Sequence, residues 1–170
     1  MLTVLMETRD HEAELAHTLS ALVAGAVEGL VSDVVILDHG SRDGSGDVAD
    51  AAGCRFLRSW QIGEVMGSVR GEWLLFLEPG ARPLGGWVEE IAEYAALNRR
   101  PARFSLSRHH RPPLWRTILS RAGPLEYGFL IGRQDCLGII RDGMPLADVA
   151  AKGKASRLRS EIMPARLFRR

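Results

Sequence analysis

The sequence predicts an α/β protein whose central, mainly parallel sheet is covered by helices on both faces. Two observations lead to this prediction. Short apolar runs alternate with segments in which apolar residues recur at helical spacing. Several of these runs also end abruptly in an acidic residue and a glycine-rich turn, as buried parallel strands do at the carboxyl edge of a sheet. A length of 170 residues suits one domain.

The first strand is predicted over Leu2 to Met6, a short apolar run. The polar residues Glu7 to Asp10 form the loop at its end, and Asp10 is expected to cap the helix that follows. That helix is predicted over Ala13 to Ala24, because its leucines share one face. Gly25 is expected to break the helical pattern.

The second strand is predicted over Val34 to Leu37, which is rich in β-branched residues. Asp43 or Ser45 is expected to cap a short helix that ends at Gly53. Cys54 to Leu57 then predicts a third, short strand.

Trp73 to Leu77 is a continuous apolar run and predicts a central strand. The poorly patterned segment before it predicts only a short helix, from Gly63 or Glu64. A helix is predicted over Trp87 to Asn98, and Arg103 to Ser107 alternates like a strand with one face in solvent.

The carboxyl-terminal part is less regular. Residues 112–122 have a basic, helical pattern, and Phe129 to Arg133 predicts a strand. The tail, residues 155–170, is basic with scattered apolar residues and predicts no element.

Charge is distributed unevenly along the chain. Residues 1–98 carry 16 acids and 6 arginines, a net −10, whereas residues 99–170 carry 5 acids and 16 bases, a net +11. The basic half could meet phosphate, an anionic membrane surface or an acidic partner, or the two halves could simply balance in the folded protein. The basic helical pattern of residues 112–122 suits either an interfacial helix on anionic lipid or a helix packed on the core.

Several protein classes are disfavoured. An apolar content of 46% argues against a disordered chain. No apolar run approaches the roughly 18 residues that span a bilayer, and no secretory signal is recognised. Cys54 and Cys136 have no metal-like spacing and are expected to be unpaired, so the predicted location is cytoplasmic, with peripheral attachment to the inner membrane face as an alternative. No RNA-binding signature is present, and nucleic acid is not an expected partner.

Three polar loops are candidates for ligand contact, because ligands gather at the carboxyl ends of parallel strands. They are residues 7–11, 38–45 and 78–83, and all are rich in turn residues.

Four sequence blocks resemble the family 2 glycosyltransferases, which have the Rossmann-like, three-layer GT-A fold. The blocks are LMETRDHE (5–12), VVILDHGSRDGS (34–45), VRGEWLLFLEPGARPLGGWVEEI (69–91) and LEYGFLIGRQDCLGIIRDGMPLADV (125–149). The resemblance implies a GT-A-like domain with a nucleotide-binding part over 1–98. A shortened acceptor-side part with a basic tail would follow over 99–170. It also implies a nucleoside-diphosphate sugar as the bound partner.

By this resemblance the nucleotide pocket is lined by residues of the first two loops: Glu7, Thr8, Arg9, Asp10, Asp38, His39 and Gly40. Asp38 has a second interpretation, as the cap of the turn that follows it, and the turn alone would explain Gly40 through its need for positive φ.

The third block lies where the family has an Asp-x-Asp signature for a divalent metal, usually Mg²⁺ or Mn²⁺. This chain has Glu78, Pro79 and Gly80 there, so one carboxylate, Glu78, is the implied metal ligand. Arg70 and Arg82 could instead offset phosphate charge directly, or be solvated surface arginines.

An inverting transfer also needs a general base, which the family places in or near a Glu-Asp pair. This chain has Ala147 and Asp148 at that point, so Asp148 is the candidate base, with a role at the start of a helix as the alternative. The predicted function is transfer of a sugar to an envelope-related acceptor; the alternative is a non-catalytic binding or assembly module of the same fold.

Overall fold

A computed structural model of the chain describes residues 1–107 and 123–168. The described strands form one sheet: β1 (Leu2–Thr8), β2 (Val31–Asp38), β3 (Arg55–Leu57), β4 (Trp73–Phe76), β5 (Arg82–Leu84), β6 (Ala102–Leu106), β7 (Phe129–Gly132) and β8 (Ser156–Met163). The described helices are α1 (Glu12–Val27), α2 (Ser45–Ala51), α3 (Ile62–Ser68), α4 (Trp87–Leu97), α5 (Arg133–Ile139) and α6 (Leu146–Lys152), followed by a 3₁₀ turn (Ala165–Leu167).

The strand order is β3-β2-β1-β4-β7-β6-β8-β5. The first four strands are parallel to one another. β7 is antiparallel to β4 and β6, whereas β8 is parallel to β6 and antiparallel to β5. The predicted α/β fold with a mainly parallel sheet is confirmed.

Helices cover both faces of the sheet, which explains the continuous apolar runs. Successive strand residues point to opposite faces. Val4 and Leu75 therefore pack in the cluster of α1 and α4, while Leu5 and Phe76 pack in the cluster of α3, α5 and α6. A strand buried on both sides has apolar residues at nearly every position.

Several predicted boundaries are wrong. β1 continues through Glu7 and Thr8, which belong to the strand and not to the loop. Asp10 has φ +54° and does not cap α1, whose N-cap position is His11. Gly25 does not end α1. Its missing side chain instead admits the Trp87 ring, which would lie 2.6 Å from a Cβ atom at this position.

Three described elements have no counterpart in the prediction, β5, α5 and β8, whereas α6 corresponds to the helix expected in the alternative role of Asp148. The predicted helix over 112–122 and the last two arginines of the tail lie outside the described residues. Within residues 1–107 and 123–168, the helices are all too short or too polar to cross a bilayer. Both cysteines are free, as predicted.

Candidate functional site

The carboxyl ends of β2, β1 and β4 are neighbours in the sheet, so the three predicted loops share one edge. Thr8 lies opposite Asp38 in the parallel register, and the N–H of His39 donates to the Thr8 carbonyl over 2.9 Å. On the other side of β1, the N–H of Leu77 donates to the Leu5 carbonyl over 3.1 Å, immediately before Glu78. Strand pairing thus places Glu7, Thr8, Asp38, His39 and Glu78 along one edge.

Side chains join the first two loops. The N–H of Arg42 donates to Asp10 Oδ1 over 2.7 Å, and the N–H of Asp10 donates to Ser41 Oγ over 2.9 Å. The N–H of Glu12 donates to Asp43 Oδ2 over 2.9 Å. The carboxylate of Asp10 therefore holds the second loop in place instead of capping α1.

Asp43 also orders the entry of α2. Its Oδ1 accepts the N–H of Ser45 over 3.0 Å, and the N-cap position itself is Gly44. Burial raises the pKa of Asp43, but its hydrogen bonds with Ser45 and the Glu12 N–H outweigh this and hold the pKa below its usual value. The carboxylate is thus ionised where the two loops meet.

Asp38 caps the turn that follows it. Its carboxylate accepts the Ser41 N–H at 3.0 and 3.2 Å and the Ser41 hydroxyl at 2.5 Å. The residue is only 5% exposed. Gly40, in the same turn, has φ +88°, as the turn interpretation predicts. A ligand that contacts the Asp38 carboxylate would have to compete with Ser41.

Glu7 connects the second loop to a distant helix. Its Oε1 lies 3.3 Å from His39 Nε2, and its Oε2 accepts the N–H of Leu146 over 3.1 Å. Leu146 begins α6, so Asp148 lies in the first turn of that helix and is exposed. The fold thereby brings the predicted base to the edge that carries the predicted nucleotide loops.

Trp60 is a residue of this edge that sequence reasoning missed. Its Nε1–H donates to the Asp38 carbonyl over 3.3 Å, and its ring meets the His39 ring edge-on at 5.4 Å. It also lines a cavity of about 260 Å³ with Ser59 and Gln61. The strand-end rule, applied to β3 as well, would have indicated this loop.

Thr8 and Arg9, which are also predicted to line the nucleotide pocket, differ in their exposure to solvent. Thr8 is 2% exposed, and its Oγ1 lies 3.4 Å from His11 Nδ1. Arg9 is exposed, so its guanidinium lies at the surface of the edge.

Arg70 is not brought to this edge. It precedes β4, whereas Glu78 follows it, so the two residues lie at opposite edges of the sheet. Arg70 lines a separate cavity of about 330 Å³ with Asp33 and Arg55, near the start of β2 and β3.

The loop after β4 is tightly packed. The N–H of Ala81 donates to the Glu78 carbonyl over 3.0 Å, and the N–H of Gly80 donates to the buried Thr18 hydroxyl over 2.8 Å. Gly80 has φ +99°, and a Cβ atom there would lie 3.3 Å from Ala165. Neighbouring groups therefore occupy the space that a side chain at position 80 would need.

The donor set of this loop does not fit a divalent metal. Glu78 is half-buried and supplies a single carboxylate, whereas Mg²⁺ and Mn²⁺ are held by several oxygen ligands. Over residues 1–107 and 123–168, no group of three or more His, Cys, Asp or Glu side chains could hold a metal ion.

Two arginines flank the same loop, and sequence reasoning missed one of them. Arg82 Nη2 lies 2.8 Å from Met163 Sδ. Arg166, in the 3₁₀ turn, pairs with the buried carboxylate of Glu126 over 2.5 Å. The first contact joins β5 to β8, and the second joins the 3₁₀ turn to the segment before β7.

No protein-family model matches the chain, and no curated protein matches it significantly in sequence. Its structure is nevertheless similar to solved structures of glycosyltransferases. Glucosyl-3-phosphoglycerate synthase from Mycobacterium tuberculosis, in complex with Mn²⁺, UDP and glucosyl-3-phosphoglycerate, matches with a TM-score of 0.63 and 15% identity over 96% of this chain and 71% of that chain. The complex of the same enzyme with Mg²⁺ and UDP matches with a TM-score of 0.57 and 16% identity over 82% and 58%.

Mannosyl-3-phosphoglycerate synthase from Rubrobacter xylanophilus is also similar, with a TM-score of 0.59 and 12% identity over 79% of this chain and 54% of that chain. The likeness shows that the chain has the GT-A glycosyltransferase fold. The chain spans 54–71% of the length of these three structures.

Proposed function

We propose that this protein binds a nucleoside-diphosphate sugar at the edge formed by β2, β1 and β4 and transfers the sugar to an acceptor hydroxyl. The supporting observation is the convergence of Glu7, Thr8, Asp38 and His39 with the start of α6 at that edge. The solved neighbours with the same fold include complexes with UDP.

In this proposal the nucleotide lies against the two joined loops. Backbone groups and side chains of Glu7 through Asp10 line one side, and Asp38, His39 and Gly40 line the other. The rings of His39 and Trp60 offer aromatic surface for a base. Arg70, at the opposite edge of the sheet, is not part of the proposed site.

Asp148 is the proposed general base. Its carboxylate would take the proton of the acceptor hydroxyl while the acceptor oxygen forms a bond to the anomeric carbon of the sugar. The bond between that carbon and the diphosphate oxygen breaks, and its electron pair leaves with the nucleoside diphosphate. Because α6 is joined to Glu7 through the Leu146 N–H, Asp148 would lie near a donor bound at this edge.

Thermal unfolding with UDP-, GDP- and TDP-linked sugars tests the binding step. Bound nucleotide should raise the melting temperature, because a ligand that binds only the folded state stabilises it. The absence of any shift at millimolar ligand would contradict the proposal.

The transfer step is tested with Asp148→Asn by measuring UDP release from UDP-glucose. Loss of a general base typically costs on the order of 10²–10⁴-fold in rate. Nucleotide affinity should not change. Asp142→Asn is the matched control, since Asp142 is also exposed and precedes α6. Equal rates for the Asp148 variant and the control would remove Asp148 from the proposed mechanism.

One observation favours a second candidate, a non-catalytic module that keeps the nucleotide pocket. The carboxylates of Asp10 and Asp38 are engaged by neighbouring loop residues, and the loop after β4 offers one carboxylate. Such a protein would bind UDP without releasing it from UDP-glucose, and Asp148→Asn would behave like the wild type.

We further propose that the acceptor is envelope-related and that the basic half meets an anionic membrane surface. The net charge of +11 over residues 99–170 supports this part of the proposal. Sedimentation with anionic vesicles, at low and high salt, tests it. Protein that stays in the supernatant at low salt would contradict membrane contact.

A further inference from the structure

We infer that Arg82 and Arg166 neutralise the diphosphate of the nucleotide, in place of a divalent cation. This inference rests on the proposed function, because it assigns residues to the diphosphate of the same donor. The loop of Glu78 and Gly80 does not match a divalent-metal site, because only one of these two residues carries a carboxylate.

Position 80 cannot supply a second carboxylate without rearrangement. Its φ of +99° disfavours any residue with a Cβ atom. A Cβ atom there would also lie 3.3 Å from the Ala165 backbone and 3.4 Å from Glu14 Cγ. The N–H of Gly80 is fixed by Thr18, so the loop cannot shift freely to relieve these contacts.

Arg82 lies two residues beyond Gly80, on the sheet face away from α1 and α4. Its neighbour Pro83 pairs with Ile162, and Ile162 packs in the core beneath α1 and α4. Successive strand residues point to opposite faces, so Arg82 and its strand partner Met163 point to the other face of the sheet. The thioether of Met163 is a weak acceptor for a guanidinium. Arg82 Nε is buried without a hydrogen-bond partner among the described residues.

Arg166 approaches the same loop from the 3₁₀ turn. Ala165 packs on Gly80, which places the adjacent Arg166 beside the loop. One nitrogen of its guanidinium pairs with Glu126, and its side chain is 37% exposed. Its Nε is buried and has no hydrogen-bond partner within the described part of the chain.

Two positively charged guanidinium groups thus flank a loop that has one carboxylate. Arginine binds phosphate through paired N–H donors and carries its charge at any accessible pH. A diphosphate is the ligand class whose charge matches both groups. Negative charge that develops on the diphosphate as the sugar leaves would then be met by arginine, not by a metal ion.

Calorimetric titration of the full chain with UDP, in EDTA and in MnCl₂, tests the inference. The dissociation constant should agree within about twofold between the two buffers. Arg82→Gln and Arg166→Lys should each weaken UDP binding by at least about tenfold and leave uridine binding unchanged, because uridine has no phosphate. Arg159→Gln is the matched control, since Arg159 is an 88% exposed arginine of β8 and should not alter UDP affinity.

Arg166→Lys keeps a cation beside the buried Glu126, so the variant is designed to remain folded, and Arg82→Gln tests the inference independently of that ion pair. A gain of tenfold or more in UDP affinity on addition of Mn²⁺ would overturn the inference, as would unchanged UDP affinity in both variants. If wild-type protein binds neither UDP nor uridine in either buffer, the proposed function itself fails and the inference fails with it.

Discussion

Glu7 Oε2 accepts the backbone N–H of Leu146 over 3.1 Å, although the two residues are 139 positions apart in the sequence. Glu7 Oε1 lies 3.3 Å from His39 Nε2. One carboxylate therefore joins the loop after β2 to the helix that carries Asp148.

Glu7→Ala should destabilise the protein by about 1–2 kcal/mol, because it removes two hydrogen bonds and leaves the partly buried Leu146 N–H without its acceptor. Urea denaturation measures the effect. Glu72→Ala, at an exposed position before β4, is the control and should change the free energy of unfolding little. Equal stability of the two variants would mean that the Glu7 connection contributes nothing.

Gly80→Asp places an acid at the third position of the loop, yet it should not create a metal site. We expect a loss of about 1–3 kcal/mol from the left-handed backbone conformation, with a further loss from the contact with Ala165. Denaturation and Mn²⁺ titration measure the two effects.

Gly29→Asp is the matched control for this variant. Gly29 has φ +74°, and a Cβ atom at this position would meet nothing within 4 Å, so the control isolates the backbone effect from the packing effect. A Gly80→Asp protein that is as stable as this control and binds Mn²⁺ would contradict the packing argument.

Thr18→Val should destabilise the protein by about 1–3 kcal/mol, because the buried N–H of Gly80 would lose its acceptor while the shape of the side chain is kept. Thr18→Ser keeps the hydroxyl and should cost less. The comparison is made by thermal and urea unfolding. A serine variant that is less stable than the valine variant would show that the methyl group, and not the hydrogen bond, is what matters.

Glu90 is expected to make stability depend on pH. Its carboxylate accepts the N–H groups of Arg159 and Ser160 at 2.7 and 2.6 Å. Burial raises the pKa of Glu90, but these hydrogen bonds and the charge of Arg159 outweigh it and hold the pKa below the usual 4.5. Since the folded pKa is depressed, the stabilisation is present above about pH 4.5 and is lost as the pH falls through the folded pKa.

Glu90→Gln should therefore cost about 1–2 kcal/mol at neutral pH, and its difference from the wild type should shrink in acid. Urea unfolding at several pH values provides the measurement. Glu89→Gln is the control, because Glu89 is an exposed neighbour on α4. A difference between wild type and Glu90→Gln that stays constant down to about pH 3 would contradict the assigned pKa shift.

The sequence determined the layered architecture, because a strand that is buried on both faces can be identified from its own run of apolar residues. The central parts of β1, β2, β4 and β7 are buried on both faces, so each strand contains a short apolar run. β8 was not predicted, because its alternation of exposed and buried residues is interrupted and its composition is basic. β5 has three residues and α5 has seven, and neither shows a clear period.

Some features of the candidate site could likewise be predicted from the sequence, whereas others depend on tertiary contacts. Local chemistry predicted that Asp38 and Gly40 form a turn, and strand direction predicted that loops after β1, β2 and β4 share an edge. Only the tertiary structure decided that the Glu7 carboxylate contacts the start of α6 and that Arg70 lies at the opposite edge from Glu78. It also decided that Ala165 fills the space beside Gly80. Periodicity and capping act over a few residues and can be found along the chain, whereas contacts between segments far apart in sequence depend on how whole layers pack.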